Sequence, residues 1–118
     1  IDAPEWFEML QETLAGLGGA TPLQLVQTWF YLHYAELTGY ELSLVNDVAG
    51  QALDSQKHYM YDSIDRGLRL SEQGEITADH IKFLRLAASK PLRVVAQVGG
   101  VEQVLPDCWL LARQHAVI

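Results

Sequence analysis

Thr21-Pro22-Leu23-Gln24-Leu25-Val26-Gln27-Thr28-Trp29-Phe30-Tyr31-Leu32-His33-Tyr34-Ala35-Glu36-Leu37-Thr38-Gly39 is the stretch on which the fold turns. Threonine, then proline, then glutamine three residues on is a helix start, and the glycine after Thr38 is a helix stop. Between them Leu23, Leu25, Val26, Trp29, Phe30, Leu32, Tyr34 and Leu37 leave only a narrow polar strip. A helix apolar nearly all round must be covered by neighbours on several sides. This segment is therefore expected at the centre of a helical bundle, with His33 a hydrogen-bonded core histidine.

Upstream, the pattern predicts a helix over residues 4–17, with Asp2 as its cap and Glu5 completing a capping box. Trp6, Leu10, Leu14 and Leu17 form its expected inward stripe, and Gly16-Leu17-Gly18-Gly19 ends it. Downstream, residues 44–70 keep a helical period, either as one long helix or as two pieces broken at Asp54-Ser55, the latter being the preferred reading. A helix capped by Thr77 should run to Ser89 with Ile81, Leu84 and Ala88 inward and Lys82 and Arg85 outward. Residues 92–98 suit a short strand or a helix, and a last helix is expected over 106–114. The fold class is thus all-α: a single helical domain spanning 1–118, a bundle of about five helices with a short strand as an option near 92–98.

Composition sets the outer bounds. The 118 residues are 49% hydrophobic and 19% charged, which describes a core-forming globular chain rather than a disordered or collagen-like one. With one cysteine, Cys108, no disulfide can form within the chain. No apolar run approaches the ~18 residues of a membrane span, and the acidic start Ile1-Asp2-Ala3-Pro4-Glu5 does not read as a signal peptide. A cytoplasmic location is the expectation.

Charge is unevenly placed. The formal net charge is −7, yet residues 1–56 hold eight carboxylates and no Lys or Arg, while residues 57–118 hold all eight cations and seven carboxylates. Trp6, Phe7, Trp29, Phe30, Tyr31, Tyr34 and Tyr40 lie in the cation-free part. Aromatic anchors ringed by carboxylates select a basic protein surface. The leading expectation is accordingly a non-enzymatic interaction or regulatory module that binds a basic partner through Glu5, Glu8, Glu12, Tyr31, Glu36 and Tyr40, with homodimerisation a further option.

The alternative is a helix-turn-helix transcriptional regulator. Residues 48–53 would form its first helix, and the second would present Gln56, Lys57, His58 and Tyr59 to base edges, followed by a wing over 66–75 and a basic stripe of Lys82, Arg85, Lys90 and Arg93. Asp54, Asp62 and Asp65 oppose that use, because phosphate contacts dominate DNA affinity.

Catalytic and metal chemistry find little support. His58 and Asp62 lie one helical turn apart, but a catalytic metal needs about three protein ligands, so neither metal nor cofactor is expected. The Glu8/Glu12, Asp62/Asp65 and Glu72/Glu75 pairs read as solvated faces, with Asp62, Asp65, Arg66 and Arg69 an exposed ion-pair ladder. Cys108, next to Trp109 in an apolar segment, reads as a buried, inert thiol. The Gly16–Gly19 cluster lacks the strand before it and the lysine after it that a phosphate loop requires. No enzymatic activity is expected.

Overall fold

The computed structural model describes residues 4–116, and among them five helices enclose one hydrophobic core with a small hairpin set against it. The helices are α1 (Pro4–Leu17), α2 (Leu23–Leu37), α3 (Ala78–Ser89), α4 (Leu92–Val95) and α5 (Leu105–Ala116). Two strands, β1 (Tyr59–Asp62) and β2 (Gly67–Leu70), lie between α2 and α3. The expected cap Asp2 lies outside the described residues.

The α2 helix holds the central place that its composition requires. Leu25, Val26, Thr28, Trp29, Leu32 and Ala35 are buried on it, with α1 and α3 packed alongside and the broadest contact made with α5. Polar atoms carried into this core find partners, as burial demands. The Trp29 indole N–H donates to the Lys90 carbonyl at 2.8 Å, and His33 Nε2–H donates to the Ala87 carbonyl at 2.8 Å. Trp109 on α5 donates to the Gln27 side-chain carbonyl at 2.9 Å. Pro22, rather than Thr21, occupies the α2 cap position, with no side-chain cap.

Thr77 caps α3 as its position predicts. Its backbone N–H and hydroxyl both donate to His80 Nδ1, so Nε2 carries the ring proton and donates to Asp107 on α5 at 3.2 Å. One histidine thus closes a capping box and ties the start of α3 to the first turn of α5.

The helical face expected for α1 is not the one that packs. Leu10, Leu14 and Leu17 are exposed, while Met9 and Gly16 are buried. The reason is Gly16 itself: a Cβ there would stand 2.6 Å from Leu92 Cδ2 and 3.1 Å from Val26 Cγ2. The bare backbone lets α1 approach α2 and α4 closely, and that contact sets the rotation of the helix. Trp6 stays half-buried, edge-on to Tyr34 with ring centroids 5.7 Å apart.

Residues 44–70 form no helix, in one piece or two. Three aspartates divert the backbone into turns by accepting from the N–H two residues ahead: Asp47 from Ala49 at 2.9 Å, Asp54 from Gln56 at 2.8 Å and Asp62 from Ile64 at 2.8 Å. Such local bonds compete directly with helical ones. Arg66, at φ 56°, then turns the chain left-handed between the strands. The strands pair antiparallel, Tyr59 with Leu70 through Asp62 with Gly67, and Tyr59 also pairs with Ile76 on its other side. Residues 92–98 supply α4 and a turn rather than a strand.

Candidate nucleic-acid interface

Every arginine makes a contact within the domain. Arg66 donates to the His115 carbonyl at 2.6 Å and lies over the Tyr40 ring, 4.8 Å from its centroid. Arg69 bridges Asp62 and Asp65, and Arg85 donates twice to the Leu44 carbonyl, at 3.0 and 2.8 Å. Arg93 meets Glu12 at 3.4 Å, and Arg113 stands over Trp109 at 5.5 Å. The side chains of Lys57, Lys82 and Lys90, by contrast, are exposed and make no ion pair among the described residues.

Two of these lysines flank the turn at residues 53–58. On one side, Lys82 and Arg85 of α3 line a small concavity of about 90 Å³ with Asp54 and Ser55. On the other, Lys57 and His58 line a larger one of about 350 Å³ with Gln56, Leu70 and Glu72. The turn therefore carries a cation on its own chain and two more beside it, with Asp54 and Glu72 close at hand.

The residues expected to bind DNA are placed differently from the expectation. Gln56, Lys57 and His58 are indeed exposed, but on a turn instead of a recognition helix. Tyr59 is buried at 1% exposure, and its hydroxyl accepts from the Asp54 backbone N–H at 2.8 Å, so it cannot reach a base. The helix-turn-helix reading fails on this geometry. The stretch expected as a wing, 66–75, supplies β2 and the turn after it.

The residues expected to capture a basic partner differ in exposure. Glu5, Glu8 and Glu36 are exposed, whereas Glu12 is half-buried against Arg93 and Tyr31 packs on the core. Tyr40 stays exposed, with the Arg66 guanidinium over one face of its ring. Arginines from the second half thus reach back onto the acidic first half at two of the six positions.

Sequence reasoning missed a buried polar cluster at the end of α5. His115, 2% exposed, meets the Tyr40 carbonyl through Nε2 and the Tyr61 hydroxyl through Nδ1 at 2.9 Å. A carbonyl only accepts, so Nε2 carries the proton and the neutral ring accepts from Tyr61. Burial lowers the His115 pKa and raises that of Tyr61. Asp62, read from sequence as part of an exposed ladder, is buried at the hairpin end; the Asp65 backbone N–H and the Arg69 guanidinium hold its carboxyl below the usual range. Cys108 is fully buried and pushed up to about 12 by desolvation, which leaves it a protonated, unreactive thiol.

Among the described residues no group of three or more His, Cys, Asp or Glu side chains is placed to hold a metal ion. His58, Asp62 and His80 each hydrogen-bond elsewhere, to Gly74, Arg69 and Asp107. No helix among them is long and apolar enough to cross a membrane.

In class, the fold is a helical domain that carries a small hairpin, with a lysine-flanked turn leading into β1 beside α3. The chain belongs to the family described as Recombination protein O C terminal, whose model matches residues 2–110. No curated protein and no solved structure matches it. Membership in a recombination family overturns the expectation of an acidic regulatory module.

Proposed function

We propose that this domain serves DNA recombination as a non-catalytic part of a recombination protein, contacting nucleic-acid phosphates through Lys57, Lys82 and Arg85 around the 53–58 turn. The observation that carries the reading is the grouping of cations: Arg66, Arg69 and Arg93 are spent on internal contacts, whereas exposed Lys57 and Lys82 lie beside one turn with Arg85, which is also exposed and uses only Nε and Nη2 on the Leu44 carbonyl. Membership in the recombination family supplies the ligand class. A cytoplasmic location goes with this reading, since a lone buried thiol suits a reducing compartment.

The charge balance bounds the strength of such a contact. A protein that neutralises Z phosphates of duplex DNA shows a log–log salt slope of about −0.9Z, so three cations give a slope of about −3 at most. Contact of that kind positions a strand without reading its sequence.

Fluorescence anisotropy with a labelled duplex, titrated from low to physiological salt, tests this. Lys57→Glu combined with Lys82→Glu is expected to weaken low-salt binding by about tenfold or more and to flatten the slope by about two. Absence of binding at low salt, or affinity indifferent to both reversals, would overturn the reading.

A further inference from the structure

We propose that the cleft between β1 and α5 is a docking groove for an extended, basic peptide segment of a partner protein, which adds to the edge of β1 at Tyr61. The inference goes beyond the nucleic-acid reading and uses none of its residues.

Strand register is the first observation. Ser71 N–H donates to the His58 carbonyl at 3.0 Å, so alternate positions 58, 60 and 62 of this strand bond toward β2, while 59 and 61 point their backbone groups the other way. Tyr59 confirms the alternation: its N–H and carbonyl bond reciprocally to Ile76, both at 2.9 Å. Tyr61 is the next position along that edge, and no described residue hydrogen-bonds to its backbone N–H or carbonyl. An unpaired strand position is a template for another extended chain.

Shape is the second. Tyr61 lines a concavity of about 460 Å³ whose other wall is α5, with Met60 and Leu110, each 47% exposed, among the lining residues. Two half-exposed apolar side chains beside an open strand position offer a seat for an alternate side chain of the incoming segment.

Charge names the occupant. Glu75 and Asp107 both line the cleft, no Lys or Arg does, and the amide of Gln114 completes its polar side. An acidic peptide would meet these carboxylates within a chain of net charge −7, whereas a Lys or Arg next to an apolar residue satisfies both carboxylates and cleft.

The probe is a fluorescein-tagged peptide alternating Val or Leu with Lys or Arg. One control replaces its cations with Glu, and a second N-methylates the central backbone amides to remove strand pairing. Anisotropy is expected to favour the basic peptide over the acidic one by about tenfold or more. N-methylation and Leu110→Glu should each weaken binding by about fivefold or more. Since Leu110 is half-exposed, the variant should fold, which circular dichroism checks. Independently of any variant, the wild-type Tyr61 amide should shift in NMR titration and gain protection from hydrogen exchange. Equal affinity for acidic and basic peptides, indifference to N-methylation, an unmoved Tyr61 amide, or no binding would each overturn the proposal. Lys57→Glu with Lys82→Glu should leave peptide affinity unweakened, which separates its failure from that of the nucleic-acid reading.

Discussion

The helical framework and the segment over residues 40–76 are held by different kinds of contact. The helices meet through contiguous apolar surface: Trp29, Leu84, Val95 and Cys108 are all essentially inaccessible, and they come from four helices. The hairpin segment contributes fewer such anchors, chiefly Tyr59 and Leu68, and relies on polar latches at its margins. These are Arg66 and Tyr61 to His115, Arg69 to Asp62, and Arg85 to Leu44. Apolar packing is non-directional and cooperative, whereas a latch depends on particular protons and angles. The two parts should therefore fail differently.

The largest expected effect is at the framework. Trp29→Ala removes a fully buried indole and orphans the Lys90 carbonyl, and it should cost about 3–5 kcal/mol of global stability by urea unfolding. Gly74→Ala attacks the other region. A Cβ there would fall on the Tyr59 backbone, which has no flexible end to yield, so the hairpin must shift away from the chain that crosses it. Its cost should be about 1–3 kcal/mol, concentrated where hydrogen exchange reports residues 59–76 while the amides of α2 and α5 stay protected. If the Gly74 variant loosened all helices equally, the two regions would be one cooperative unit.

This contrast also explains what the sequence made legible. The α2, α3 and α5 helices are readable because their signals are local: a start signal, an apolar period, a stop. The hairpin is not, since Val45, Ala49, Ala52, Met60, Ile64 and Leu68 imitate a helical stripe while Asp47, Asp54 and Asp62 undo it through bonds that periodicity does not register. The candidate interface was legible in part for the same reason. Lys82 and Arg85 fall on the outer face of α3 as the helical period predicts, and Gln56, Lys57 and His58 are exposed. Their meeting around one turn depends on a chain reversal that only the tertiary structure creates.

Acid separates the two regions by a smaller margin. Folded His115 has a pKa below its ordinary 6.5, mainly because burial disfavours the charged ring, so the unfolded chain binds its proton more readily. The stability that this group contributes is complete above pH 6.5 and declines as pH falls toward the folded value. Asp62 acts further down: its folded pKa lies under the ordinary 3.8, and its contribution is lost as pH falls through that lowered value. Urea midpoints should thus drop between pH 7.5 and 5.0, and His115→Gln should abolish most of that drop while leaving the transition at lower pH. A drop unchanged in His115→Gln would move the titrating group elsewhere.

The smallest effect sharpens the comparison inside the framework itself. On α1 the apolar spacing of Leu10, Leu14 and Leu17 argues for an inward stripe, and Gly16 looks like a stop signal. The structure reverses both roles, leaving Leu14 68% exposed and using Gly16 as the point of closest approach to Val26 and Leu92. Truncation energies follow burial and not spacing, so Leu14→Ala should change stability by no more than about 0.5 kcal/mol. Met9→Ala, at 4% exposure on the opposite side, should cost about 2–5 kcal/mol. The reverse order would mean that α1 packs by its leucine stripe, which would carry Gly16 off Leu92 and separate α1 from α4.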